Sequence, residues 1–256
     1  MALFEVSKIT KRFGGLEALK DLDLRIESGE LAALIGPNGA GKSTFFNVIS
    51  GVMRPTSGKV FFEGKDITGI KPHRIAEKGL VRTFQATTLF THLSVLANVE
   101  IACHIAAKPN TVGEVIGLPS VKQRENEARQ VAIDIVKTTG LESVSGELAN
   151  NLPHGYQRAL GVAIALATHP KLLCLDEPVT GMNVEETRFM TELISRIRQE
   201  GTTILLIEHT MRVVMGICDR ITVINFGRKI AEGNPEEIKS NKDVIEAYLG
   251  GEEYAT

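Results

Sequence analysis

The sequence predicts an α/β fold: a core of helices around a mixed or parallel sheet, with an N-terminal antiparallel β subdomain and an inserted α-helical subdomain. Three observations lead there. Strand and helix patterns alternate along most of the 256 residues. The runs "LAALIG" (31–36), "KLLCLDEP" (171–178) and "TTILLIEH" (202–209) are short and continuously apolar, as strands buried on both faces of a parallel sheet should be. Between about residues 90 and 160 strand signals stop while helical periodicity persists.

Taken in order, "LDLRI" (22–26) alternates apolar and polar residues and reads as a half-exposed antiparallel strand. "GKVFFEGKDI" (58–67) reads as a hairpin turning near Gly64. Residues 107–122, rich in Pro, Gly and polar side chains, are expected to form a loop between helices. In "QRENEARQVAIDIVKTTG" (123–140), Ala128, Val131, Ala132, Ile135 and Val136 fall on one helical stripe, with Gly140 as terminator. The expected organisation is one domain over 1–256, its core formed by 1–89 and 161–256 and its helical insert by 90–160.

Composition narrows the function classes. The chain is 43% hydrophobic and 23% charged, with a formal net charge of −2, close to an average soluble protein. No basic block points to nucleic acid, and no acidic run points to a solvating tail. The N-terminal "MALFEVSKITKRF" lacks a signal-peptide apolar stretch, and no apolar run approaches the ~20 residues that span a bilayer. Cys103, Cys174 and Cys218 have no metal-type spacing and read as reduced thiols.

The chemistry centres on "GPNGAGKST", residues Gly36, Pro37, Asn38, Gly39, Ala40, Gly41, Lys42, Ser43 and Thr44. The pattern follows a buried strand and precedes an amphipathic segment, the context a phosphate-binding P-loop needs. Glycines let backbone N–H groups approach phosphate oxygens, and the following helix start attracts negative charge. Lys42 can reach the β- and γ-phosphates, and the Ser43 hydroxyl can ligate Mg²⁺. At the end of another apolar strand stand Asp176 and Glu177. Alone, such acids are usually solvated; beside a P-loop, Asp176 reads as a Mg²⁺ ligand and Glu177 as the base that polarises water. His209 follows a third apolar strand, as a surface cap or as a group facing the γ-phosphate.

Four further stretches set the family. Phe13 lies in "TKRFGG", Gln85 in "VRTFQ", "LPHGYQ" spans 152–157 ahead of Arg158, and "GMNVEET" spans 181–187. Their order around the P-loop resembles the ATPase subunits of ABC transporters over the whole chain. The resemblance implies that Phe13 stacks on adenine and that Gln85 contacts the nucleotide and metal. It also implies that Leu152, Pro153, His154, Gly155, Tyr156 and Gln157 form a signature touching ATP held by an opposite subunit. Pro153, expected as the first helical residue, replaces a serine and removes an N–H, so this half-site is electrostatically poorer. The N–H groups of Gly155 and Tyr156 are expected to remain available to an anion. A purely structural helix start is the other reading of this stretch. Asn183, where the family often has aspartate, can cap the next helix with Glu186, and Thr210 can cap the one after it.

"FGGLEAL" (13–19), "VRTFQ", "GICDRITVINFGRKIAEGNPEEI" (216–238) and "VIEAYLG" (244–250) are similar to the LivG-type subunits of branched-chain amino acid importers. That resemblance implies a second ABC ATPase subunit, two membrane permease subunits and an extracytoplasmic solute-binding protein, with this chain peripheral on the cytoplasmic membrane face. The permease contact is expected around residues 86–100, where "LFTHLSVLANV" (89–99) is either that surface or a buried helix. Relatives serving urea or amides, exporters and soluble ABC ATPases remain alternatives. "SNKDV" (240–244) lacks the aspartate of the GTPase base-reading motif, because Val244 takes its place.

Overall fold

The structure is a computed structural model that describes residues 2–83, 89–107 and 119–249. The chain runs through β1 (Phe4–Phe13), β2 (Leu16–Ile26), β3 (Leu31–Ile35), α1 (Lys42–Ile49), β4 (Ser57–Phe62), β5 (Lys65–Asp66), α2 (Pro72–Ala76) and β6 (Leu80–Arg82). Next come α3 (Val95–Ala106), α4 (Pro119–Thr138), α5 (His154–Leu166), β7 (Leu172–Asp176) and α6 (Val184–Gln199). It ends with β8 (Thr203–Glu208), α7 (Met211–Ile217), β9 (Arg220–Asn225), β10 (Arg228–Gly233), α8 (Pro235–Ser240) and α9 (Lys242–Leu249). These elements form two compact units, one of residues 1–82, 171–177 and 201–256, the other of 83–170 and 178–200.

The first unit holds two sheets. The antiparallel sheet has the order β2-β1-β4-β5. In β2, Leu22, Leu24 and Ile26 are buried while Asp23 and Arg25 are exposed, the alternation read from "LDLRI". β4 and β5 form the expected hairpin, with Gly64 at φ 72° in the turn. The second sheet has the order β10-β9-β3-β8-β7-β6, with β9, β3, β8, β7 and β6 parallel and β10 antiparallel on β9. Every residue of β3, β7 and β8 is buried, so these strands carry no polar face and their charges emerge only at their ends.

Register decides where those ends lie. Ile35 of β3 pairs with Glu208 of β8, and Asp176 of β7 pairs with Ile207 of β8. Gly36, Glu177 and His209 therefore leave the sheet at one level along its carboxyl edge, where ligands of open α/β sheets bind.

The second unit is helical in its described residues, apart from an isolated bridge between Ser94 and Leu148. On α4, Ala128, Ala132 and Val136 are buried, as the stripe requires, and Gly140 at φ 69° follows the helix. This helix begins at Pro119, so the last four residues of the expected 107–122 loop are helical; proline's fixed φ suits a first turn. The stretch 89–99 divides between its two readings. Val95 and Val99 are fully buried on α3, whereas Phe90 and Leu93 before it are exposed. The buried Asn98 side chain binds this lead-in, accepting from the Phe90 N–H and donating to the Phe90, Leu93 and Ser94 carbonyls.

Gly227, in the β9–β10 turn, has φ 75°, and a Cβ there would lie 2.6 Å from the Ala18 carbonyl oxygen. Gly227→Ala is expected to destabilise by about 1–3 kcal/mol in urea unfolding. Gly216→Ala on α7, where a Cβ meets nothing within 4 Å, should be neutral or stabilising by up to about 1 kcal/mol.

Candidate functional site

The loop from Gly36 to Gly41 links fully buried β3 to α1, and its glycines are required by neighbouring backbone. A Cβ on Gly36 would lie 2.2 Å from the Ile224 carbonyl oxygen; one on Gly41 would lie 2.5 Å from that of Ala18. Gly39 and Gly41 also take φ of 80° and 106°, open to glycine at little cost. The turn after β9 closes on this loop, since the Gly227 N–H donates to the Ala40 carbonyl at 2.9 Å. Helix α1 starts without a side-chain cap and without an acidic residue in its first turn, so no side chain of that turn offsets the positive end of its dipole. Lys42 is only 7% exposed, and its ammonium donates to the Gly36 and Pro37 carbonyls at 2.7 and 3.0 Å. Burial pushes its pKa down, against the opposing pull of Glu177, Glu208 and Asp176. Asn38, Gly39 and Ser43 are exposed, and Thr44 is half-buried.

Three acids and one histidine gather at the same sheet edge. Glu177 takes φ 46°, rare for a residue with a side chain, and its N–H donates to the Ile207 carbonyl at 2.8 Å. Such strain persists only where surroundings over-determine it. His209 Nδ1 lies 3.6 Å from Glu177 Oε1 and 3.9 Å from Glu208 Oε2. Glu177 and His209 therefore lie side by side at this edge. Glu208, which the sequence reading passed over, has a fully buried side chain; its Oε2 accepts from the N–H groups of His209 and Thr210, fixing the backbone that carries His209. The available signal was the same as for Asp176 and Glu177, an acid closing an apolar strand.

Asp176 is paired with Arg82, the other residue left out of the sequence reading. Arg82 Nη2 lies 3.0 Å from Asp176 Oδ2, with both side chains largely buried. Among the described residues no group of three or more His, Cys, Asp or Glu could hold a metal ion. The expected ligands Ser43, Asp176 and Gln85 are all oxygen donors, the chemistry Mg²⁺ takes, with water and phosphate oxygens completing its shell. Phe13 ends β1 with its ring 45% exposed and the Lys11 ammonium 5.2 Å from its centroid. Gln85 lies outside the described residues.

The stretch 152–157 opens α5 in the second unit, with two corrections. Pro153 is the N-cap, not the first helical residue: its ψ of 154° is extended, and the helix begins at His154. The Gly155 N–H is not left open, because Glu186 Oε1 accepts it at 3.0 Å. The same carboxylate closes the expected capping box of α6: Oε2 accepts from the Asn183 N–H at 3.1 Å, and Asn183 Oδ1 accepts from the Glu186 N–H at 2.9 Å. These donors, Gly155 first, pull the Glu186 pKa down. Leu152 is buried, and its carbonyl accepts from Gln157 Nε2 at 2.9 Å. Tyr156 packs its ring 5.1 Å from that of Phe189. Thr210 occupies the N-cap position of α7, but its side chain makes no capping hydrogen bond; only the position was foreseen.

Residues 19–180 match the model of the ABC transporter family, and residues 228–254 match that of the branched-chain amino acid ATP-binding cassette transporters. The chain is 41% identical to the high-affinity branched-chain amino acid transport ATP-binding protein BraF of Pseudomonas aeruginosa, over 97% of this chain and 98% of that one. It is 42% identical, with the same coverage, to the corresponding protein LivG of Escherichia coli. Among solved structures, a nucleotide-free ATP-binding cassette of an ABC transporter superposes with a TM-score of 0.83 at 31% identity, covering 97% of this chain and 99% of that one. The ADP conformation of another such cassette gives 0.84 at 29% identity, covering 98% and 99%. The chain belongs to the ATP-binding proteins of ABC transporters.

Proposed function

We propose that this chain hydrolyses ATP to power import of branched-chain amino acids through separate permease subunits. The observation that carries this reading is likeness along nearly the whole chain to LivG and BraF, joined to a site whose parts meet at one sheet edge. The Gly36–Gly41 backbone and the α1 N-terminus receive the phosphates, and Lys42 exchanges its loop carbonyls for phosphate oxygens. Phe13 offers an exposed ring to adenine. Ser43 and Asp176, with Gln85, would hold Mg²⁺, whose charge offsets that of the triphosphate. Glu177 accepts the proton of the attacking water, and His209, 3.6 Å from it, faces the γ-phosphate.

No helix among the described residues is long and apolar enough to cross a membrane. The chain works at the cytoplasmic membrane face with a second ABC ATPase subunit, two permeases and an extracytoplasmic solute-binding protein. Residues 152–157 meet ATP bound to the second ATPase subunit. ATP drives closure only by binding the closed pair better than the open one. Exposed Phe90 and Leu93, held by Asn98, supply an apolar surface for a permease.

The central test is ATP hydrolysis by the chain assembled with its permeases, with uptake of radiolabelled leucine. Lys42→Ala should weaken ATP binding by about tenfold or more, through loss of a charge-assisted phosphate contact, and abolish both activities. Glu177→Gln should retain ATP binding and lower turnover by roughly 10²–10⁴-fold, measured as phosphate release. Turnover at the wild-type rate in the Glu177→Gln complex would remove Glu177 from the role of base.

The Glu186 contact predicts a pH effect. Its carboxyl titrates below the ordinary 4.5, so the bond to Gly155 is fully present above that value and is lost as pH falls through the lowered folded pKa. The Gly155 amide resonance should titrate with a midpoint below 4.5, and Glu186→Gln should erase that titration.

A further inference from the structure

Arg82 closes β6 and reaches two other elements with one rigid group. Its guanidinium lies 4.2 Å from the centroid of the buried Phe46 ring on α1. Nη1 donates to Asn47 Oδ1 at 2.7 Å and lies 3.4 Å from Ser50 Oγ, both also on or beside α1. Nη2 donates to Asp176 Oδ2 at 3.0 Å, with the two side chains 13% and 10% exposed. Stability alone does not call for this arrangement, because a well-packed apolar pair commonly serves as well as a buried ion pair. What the guanidinium supplies is direction: stacked on one ring and anchored at Asn47, it holds one chosen carboxylate oxygen of Asp176.

We propose that Arg82 is a positioning residue for the metal–nucleotide complex. By binding Oδ2 it sets the orientation in which Asp176 is presented. By anchoring on α1 it ties that carboxylate to the helix that carries Ser43. The inference rests on the reading above, in which Ser43 and Asp176 serve Mg²⁺. Arg82 itself touches neither metal nor substrate. Lysine cannot replace it, since a point charge on a flexible stem cannot stack on Phe46 and bridge Asn47 to Asp176 together.

The test is a Mn²⁺ titration followed by electron paramagnetic resonance, using the full chain with a nonhydrolysable ATP analogue. Arg82→Lys and Arg82→Gln are expected to weaken Mn²⁺ uptake by about 10-fold or more, the usual effect of removing a partner of a metal-binding carboxylate. Analogue binding in EDTA should stay at the wild-type value. Asn47→Ala keeps the Arg82–Asp176 pair but loosens the guanidinium; it should weaken Mn²⁺ uptake in the same direction, and it carries the test if the Arg82 variants do not fold. Folded variants that take up Mn²⁺ as the wild type does would reduce Arg82 to a packing residue and overturn the proposal. A wild-type chain that holds the analogue yet takes up no Mn²⁺ when the metal is titrated in would overturn the magnesium assignment, and the role of Arg82 with it.

Discussion

The site depends on strands that have no polar face. β3, β7 and β8 are buried along their whole length, so their sequence can change from apolar to charged only where the sheet ends. Parallel pairing then brings those ends together without any further device. Ile35 opposite Glu208 and Asp176 opposite Ile207 place the loop at Gly36, the acid Glu177 and the imidazole of His209 at one edge. A slip of one residue in either pairing would turn these residues to the opposite face of the sheet.

Charge balance follows from that convergence. Lys42 is held in a partly desolvated position by the Gly36 and Pro37 carbonyls, and its charge is supported by Glu177, Glu208 and Asp176. Arg82 supports Asp176 through an ion pair at 3.0 Å. A triphosphate alone would add negative charge beside these acids. A triphosphate carrying a divalent cation brings less, and the uncapped α1 N-terminus accepts what remains. In the proposed site the same arrangement would favour the metal complex over the free nucleotide.

How much of this was legible depended on the distance over which each contact acts. Gly36–Thr44, the buried strands and the Asn183–Glu186 capping box are local patterns, and all appear where periodicity and spacing put them. The bond from Gly155 to Glu186 joins residues 31 apart in sequence, and the pair of Arg82 with Asp176 joins residues 94 apart. Neither has a local signature, because each requires knowing which strand or helix end lies beside which. Glu208 differs: it closes an apolar strand as Asp176 does, a signal the sequence carries, but its role as a backbone clamp shows only in its complete burial and its bonds to the next two N–H groups. The one-residue error at Pro153 is of a third kind. Proline's φ suits both the N-cap and the first helical position, and only the extended ψ of 154° separates them.

The contact between Glu186 and Gly155 also bears on the proposed role of residues 152–157 as a signature. Pro153 brings no N–H to the start of α5, and the N–H of Gly155 already serves a carboxylate. In the proposed closed pair, the γ-phosphate of the second subunit's ATP must take that N–H from Glu186. When it does, Glu186 gives up a bond outside its own capping box but keeps the one to Asn183, so α6 retains its cap. The phosphate that closes the pair thus competes with an internal anion at Gly155. On the proposed reading, closure would be favoured only to the extent that triphosphate outbids one carboxylate, and after hydrolysis Glu186 would be the group placed to take the Gly155 N–H back.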